Sequence, residues 1–160
     1  MGRPAEDPAE FAALRHEIDE VGRRTARTVE LGARAITISV AVFVLILGYL
    51  LPWMGGANGF EVLFGEHDAV GKASMVPRLF AATSLAFGIL ASALALITRR
   101  WWLTWVCALG GWFACVDGVL AIWTRQSVAG HSGPGIGLVI AEVAMIVIAI
   151  QWFRTAWSRR

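Results

Sequence analysis

The sequence predicts an all-α fold: a four-helix transmembrane bundle preceded by an amphipathic cytoplasmic helix. Of the 160 residues, 57% are hydrophobic, above the roughly 45–50% of soluble domains. Four apolar stretches carry almost no charge, and each approaches the roughly 20 residues that a helix needs to cross a bilayer. They run over 35–53, 76–98, 101–123 and 136–153.

The basic residues give this bundle an orientation. Most of the 14 fall in segments that would lie on one side of a membrane, namely Arg3, Arg15, Arg23, Arg24, Arg27, Arg34, Arg99, Arg100, Arg154, Arg159 and Arg160. Only Lys72, Arg78 and Arg125 belong to the other side. Because cytoplasmic loops are enriched in Arg and Lys, we expect a multi-pass protein of the bacterial inner membrane with both termini in the cytoplasm.

The chain is expected to have three parts. These are a cytoplasmic N-terminal helix at 1–34, the transmembrane bundle at 35–155 and a basic cytoplasmic tail at 156–160. Phe11, Leu14, Ile18 and Val21 recur at helical spacing among charged residues, which is typical of an amphipathic helix with a narrow apolar seam. We expect this seam to bind a partner helix or the lipid surface.

The first span ends at Leu51-Pro52-Trp53. Proline stops the helix, and Trp53 is of the kind found at the membrane–water interface. The segment 54–75 is then the longest outer loop, and its apolar patch at 60–64 is expected to fold back on the membrane or the bundle. A second short connection, Arg99-Arg100, predicts a tight antiparallel hairpin of spans two and three.

Small residues mark the expected contacts between helices, because close packing of small side chains drives association in lipid. They are Ala81, Ser84, Gly88 and Ala91 in span two, with Gly110 and Ala114 in span three. Two such stripes on consecutive antiparallel helices are expected to face each other.

Two carboxylates, Asp117 and Glu142, lie within spans three and four at about the same depth. Intramembrane charges are costly and often functional. Three interpretations stay open: an ion pair with Arg78, which enters span two from the same side; a protonatable pair or cation site; and contact with a helix of another subunit.

No catalytic residue, cofactor or metal site is predicted. No histidine lies in a span, no C-x-x-C pair exists, and the glycines near 133–135 follow no strand. Nothing in the spacing of His67 and His131, beside Glu66 and Asp68, makes them converge on a metal. The net charge of +2 is spread along span ends, so no nucleic-acid partner is expected.

Taken together, these motifs resemble those of the small four-span membrane proteins of unknown role from mycobacteria and related actinobacteria. The likeness is carried by the Arg-rich lead-in, Leu51-Pro52-Trp53, Arg99-Arg100-Trp101-Trp102 and the Arg-ended tail. It implies a non-enzymatic accessory protein, bound to a larger inner-membrane complex or self-associated as a homo-oligomer. The alternative is a small proton- or cation-coupled transporter that uses the intramembrane carboxylates.

Overall fold

A computed structural model of the chain describes residues 8–65, 75–127 and 133–158 and, within the first helix, the side chains at 15–20 and from 32 onward. The described chain is mostly helical, which confirms the all-α prediction. Its elements are α1 (Pro8–Leu50), β1 (Pro52–Met54), β2 (Ala57–Asn58), α2 (Gly59–Phe64), α3 (Met75–Thr98), α4 (Trp101–Ser127) and α5 (Ile136–Trp157).

Four helical segments are long and apolar enough to cross a membrane: Gly32–Leu50 of α1, and α3, α4 and α5 entire. Their ends differ from the predicted spans. The first ends at Leu50 rather than 53, because Pro52 has no N–H for the helix ladder and starts a strand. Helix α4 runs on from 123 to Ser127, so Arg125 lies in a helix and is buried, in a segment predicted to be loop.

The chain divides into two compact units, Met1–Ala35 and Ile36–Arg160. In the second unit the connection after α1 is structured rather than an open loop. Strands β1 and β2 form a short antiparallel hairpin, with Pro52 opposite Asn58 and Met54 opposite Ala57. The two residues at its tip, Gly55 and Gly56, have φ of 54° and 87°, a backbone that suits glycine.

Trp53 lies in the core of this unit and not at its edge. Its side chain is fully buried, its indole Nε1 donates to the Gly48 carbonyl at 2.8 Å, and its ring stacks on Phe80 with centroids 5.4 Å apart. The prediction of an interfacial tryptophan was therefore wrong. The hairpin turns the chain back after Pro52 and directs the indole inward.

The short helix α2 is held at both ends. Asn58 Oδ1 accepts from the amides of Phe60 and Glu61, and Glu61 Oε2 accepts from the Asn58 amide, which forms a capping box. Gly65 ends the helix at φ 74°. The apolar patch of the sequence lies here, with Val62 fully buried and the Phe60 ring 5.0 Å from that of Tyr49.

Helix α3 changes its hydrogen bonding midway. It is α-helical over Met75–Thr83, a π-helix over Ser84–Ala91, and α-helical again over Ser92–Thr98. It ends at Arg99, whose φ of 52° lies in the left-handed region and whose amide donates to the Ala95 carbonyl. That cap makes the predicted tight connection to α4.

Helix α5 packs against α1 and α4 through small residues. A β-carbon added at Gly48 would lie 3.1 Å from the Ala141 amide nitrogen, and one at Gly111 would lie 3.2 Å from the Ala149 β-carbon. Such approaches bring helix backbones together and maximise van der Waals contact. The carboxyl-bearing positions of α4 and α5 are thereby placed at one interface.

Candidate functional site

Helix α4 has a face of small residues turned inward and a face of large apolar residues turned outward. The buried face carries Cys107, Ala108, Gly110, Gly111, Ala114, Gly118 and Ala121. The exposed face carries Val106, Leu109, Trp112, Phe113, Val116, Val119 and Trp123. A helix of a water-soluble protein buries its bulkiest apolar side chains, so this arrangement is the reverse of the usual one.

The other helices also expose large apolar side chains. On α1 they recur at helical spacing as Ile36, Val40, Phe43, Leu47 and Leu50. On α5 they are Ile136, Val139, Val143, Ile146, Ile150, Phe153 and Trp157. Surfaces of this extent mark contact with another apolar phase, either lipid or protein.

Asp117 and Glu142 lie inside the second unit, at the interface of α4 and α5. Their side chains are 5% and 4% exposed, and Asp117 acts electrostatically on Glu142. Thr83 Oγ1 of α3 donates to Asp117 Oδ2 at 3.1 Å, so three helices contribute to the cluster. We call Thr83, Asp117 and Glu142 the carboxyl cluster.

Glu142 fills the notch that Gly118 leaves in α4. A β-carbon at position 118 would lie 1.7 Å from Glu142 Oε2 and 2.8 Å from the Phe80 ring. Neither carboxyl oxygen of Glu142 has a hydrogen-bond partner among the described residues. A carboxylate buried in that state costs far more free energy than the neutral acid or than a carboxylate bound to a ligand.

The structure places Arg78 away from this cluster. Its side chain is exposed, and its Nε donates to the Leu63 carbonyl at 3.0 Å. Its guanidinium also lies near Gly65, because a β-carbon there would be 3.8 Å from Arg78 Nη1. Of the three residues expected to form a charged pair or ion site, Asp117 and Glu142 are thus brought together and Arg78 is bound to the end of α2.

The small residues predicted at the helix contacts are mostly buried, but they meet large partners. A β-carbon at Gly88 would lie 2.6 Å from Leu45 Cδ2 and 2.8 Å from Met145 Sδ, and one at Gly110 would lie 2.2 Å from Phe87 Cδ1. Ala81, Ser84 and Ala114 are fully buried, and Ala91 is half-buried. Between α3 and α4 the Phe87 ring fits over Gly110, so this contact is a ring set into a glycine notch.

The predicted seam lies on α1 in the first unit. Ile18 is 64% exposed there. The side chains of Phe11, Leu14 and Val21 lie outside the described residues, and so do the loop residues Glu66, His67, Asp68 and His131. Among the described residues, no group of three or more His, Cys, Asp or Glu side chains is placed to hold a metal ion.

Two polar contacts of the core escaped the sequence analysis. The Tyr49 hydroxyl donates to the Ala81 carbonyl and lies 2.7 Å from Ser84 Oγ, and Trp152 Nε1 donates to Ser92 Oγ at 2.9 Å. Each joins residues far apart in sequence. Only the presence of a polar atom on an otherwise apolar helix face signals such a pair, and it does not name the partner.

Comparison with known proteins gives a family and a relative. The model of the MiaB C-terminal domain matches residues 15–160. A tRNA-2-methylthio-N(6)-dimethylallyladenosine synthase of Mycobacterium avium (strain 104) is 46% identical over 155 residues, which are 96% of this chain and 22% of the relative. The chain thus spans about a fifth of that relative's length. No solved structure matches the chain.

These findings correct the functional expectations. A non-enzymatic accessory protein, the transporter alternative and the exclusion of enzymes are wrong, because the relative is a synthase. The exclusion of nucleic acid is wrong because that synthase is named for a tRNA nucleoside. The resemblance to small four-span membrane proteins and the localisation to the inner membrane with cytoplasmic termini are overturned by the match to the MiaB C-terminal domain and by the 46% identity to the tRNA-nucleoside synthase. With the family model covering nearly all of it, the chain belongs to the MiaB C-terminal domain family.

Proposed function

We propose that this chain serves the synthesis of 2-methylthio-N(6)-dimethylallyladenosine in tRNA, as a helical domain that acts with the catalytic part of such an enzyme. The support is the 46% identity to the mycobacterial synthase over 96% of this chain. The chain has only two cysteines, Cys107 and Cys115, both buried and free, and they offer no exposed nucleophile.

We propose further that the four apolar helices are embedded in a lipid bilayer. The observation that carries this is the reversed α4, which buries glycine and alanine and exposes Val116, Phe113 and Trp112. Small residues allow close helix packing where the surroundings are as apolar as the side chains themselves. In this arrangement the domain holds the tRNA-modifying part beside a membrane surface.

The tRNA role is tested by the nucleosides of the cell. The chain is deleted in its source organism, total tRNA is digested, and 2-methylthio-N(6)-dimethylallyladenosine is measured by mass spectrometry against the form that lacks the methylthio group. We expect the methylthiolated fraction to fall. The native chain and the Gly32→Ala variant should restore it, since a β-carbon there meets nothing within 4 Å, whereas Gly118→Leu should not. An unchanged fraction in the deletion strain contradicts the role in tRNA modification.

Bilayer embedding is tested separately, by extraction and by a charged substitution. The chain should stay in the membrane pellet after alkaline carbonate treatment. Val116→Arg should lower its membrane yield, because a cation at mid-helix costs about 2.5–3.5 kcal/mol on insertion scales. Ser127→Arg, at the exposed end of α4, is the matched control and should have no effect. Release into the soluble fraction would instead mean that protein covers the apolar surface.

A further inference from the structure

The carboxyl cluster brings two acidic groups to one helix interface, and none of its members is basic. Asp117 and Glu142 are more than nine-tenths buried, and among the described residues neither forms an ion pair. Arg78, which lies near the start of α3, is exposed, and its Nε donates a hydrogen bond to the Leu63 carbonyl. Two buried carboxylates side by side repel each other and lose their hydration, so both cannot stay ionised without a bound cation.

The hydrogen bonds and ligands of the carboxyl cluster favour a proton over a divalent metal ion as that cation. Asp117 accepts a hydrogen bond from Thr83, which favours its ionised form, whereas Glu142 Oε1 and Oε2 accept none. No third His, Cys, Asp or Glu of the described residues joins the pair, and hard divalent cations take six or more oxygen ligands. A proton needs no such set of ligands, because it binds a single carboxyl oxygen.

The other titratable groups that face Glu142 do not supply a charge. Cys115 lies on α4 and interacts electrostatically with Glu142, and its thiol is buried and free. On α1, the Tyr49 hydroxyl is already engaged with Ala81 and Ser84. The other buried charged side chain among the described residues is Arg125, which lies eight residues beyond Asp117 on α4, about 12 Å further along the helix axis.

We propose that Asp117 and Glu142 form a proton-binding site in which Glu142 carries the proton. The proton neutralises Glu142 and leaves the pair with the single negative charge of Asp117, so that the Glu142 side chain can fill the Gly118 notch without a second buried charge. The site is one of binding alone, and it stands independently of the role proposed in tRNA modification. It also makes Glu142 a modification site for apolar carbodiimides, reagents that react with protonated carboxylic acids in apolar surroundings.

The reaction with dicyclohexylcarbodiimide reports the proton directly. The Glu142 proton passes to one carbodiimide nitrogen, and a carboxyl oxygen bonds to the central carbon to give an O-acylisourea. Migration of the acyl group to nitrogen then gives a stable N-acylurea. The whole reagent is added and nothing leaves, so the modified peptide gains the mass of one carbodiimide. A carboxylate without its proton does not begin the sequence.

The experiment uses the purified full chain in detergent or lipid, treated with dicyclohexylcarbodiimide over a range of pH and mapped by peptide mass spectrometry. We expect one adduct, on Glu142, that decreases as pH rises. Asp117→Asn removes the neighbouring negative charge that favours the proton on Glu142. Labelling should therefore be lost at a lower pH in this variant. Glu142→Gln keeps the shape and should abolish the adduct. A protonated-acid carbonyl band in the infrared spectrum should disappear in the same variant, which checks the proton without the reagent.

Three outcomes overturn the proposal. The first is that Glu142 is not labelled at any pH and that the infrared spectrum shows no protonated-acid band that is lost in Glu142→Gln. The second is protection by sodium chloride but not by choline chloride at fixed pH, which would assign the site to a metal cation. The third is labelling of Glu61, a part-buried carboxyl engaged in the α2 cap, equal to that of Glu142 when Glu142→Gln also removes no protonated-acid band, which would show that the adduct reports access and not a bound proton.

Discussion

Trp152 of α5 donates its indole N–H to the hydroxyl of Ser92 on α3, across 60 residues of sequence and at 2.9 Å. Ser92 in turn donates to the Phe87 carbonyl at 3.0 Å, within the π-helical segment of α3. One hydroxyl therefore serves both the wide turn of α3 and the most deeply packed tryptophan of α5. Its removal gives the first prediction.

Ser92→Ala should destabilise the second unit. The buried indole N–H would lose its acceptor, a penalty of about 1–3 kcal/mol. Ser127→Ala is the control, because that exposed hydroxyl donates to the Trp123 carbonyl one turn back on its own helix. Unfolding in denaturant, followed by tryptophan fluorescence, measures both. Equal stability of the two variants would show that Trp152 finds another acceptor.

Gly110→Ala should cost more than Gly88→Ala. At position 110 the new methyl would lie against the base of the Phe87 ring, 2.4 Å from Cγ, which cannot turn aside. Forced overpacking of this kind costs about 1–3 kcal/mol. At position 88 the new methyl meets the ends of Leu45 and Met145, which can rotate away.

The control for both glycine variants is Gly32→Ala, which meets nothing within 4 Å. It should be neutral or stabilising by up to about 1 kcal/mol, because alanine favours a helix over glycine. Thermal unfolding of the three variants gives the order. Gly88→Ala as damaging as Gly110→Ala would argue that Leu45 and Met145 are as fixed as the ring.

Tyr49→Phe should distinguish the contribution of the Tyr49 hydroxyl to stability from that of its ring. Loss of the bond to the Ala81 carbonyl should cost about 0.5–1.5 kcal/mol, while the ring stays between Trp53 and Phe60 at centroid distances of 4.9 and 5.0 Å. Tyr49→Ala removes the ring as well and should cost about 3–5 kcal/mol. A Tyr49→Phe variant as unstable as Tyr49→Ala would place the whole contribution in the hydroxyl.

Arg78 and Asp117 should act independently. Arg78 bonds the Leu63 carbonyl and Asp117 accepts from Thr83, so no partner is shared. The stability changes of Arg78→Gln and Asp117→Asn should add in the double variant to within about 0.5 kcal/mol. A larger deviation from additivity would restore the ion pair as an interpretation. Denaturant unfolding of the native chain, both single variants and the double variant completes the cycle.

The sequence predicted some of these relationships and not others, for physical reasons. Because the rise per residue is constant along α4 and α5, counting residues from the ends of these two antiparallel helices placed Asp117 and Glu142 at the same depth. It could not place Arg78, whose long side chain has a choice of acceptors, and it misjudged Trp53, since a hairpin after Pro52 leaves no periodic signal. The sequence contained no indication of the enzyme family, because the chain covers only 22% of the relative.

The π-helical segment of α3 bears on how relatives of this chain should be aligned. A turn with i→i+5 bonding holds one more residue than an α-turn, so a single inserted residue can be absorbed there without rotating the rest of the helix. Thr83 precedes the segment and Ser92 lies directly after it, and each makes a contact on which its side of the helix depends. A relative one residue shorter between them could keep both contacts with an unbroken α-helix. Gaps of one residue in this region are therefore compatible with a shared fold.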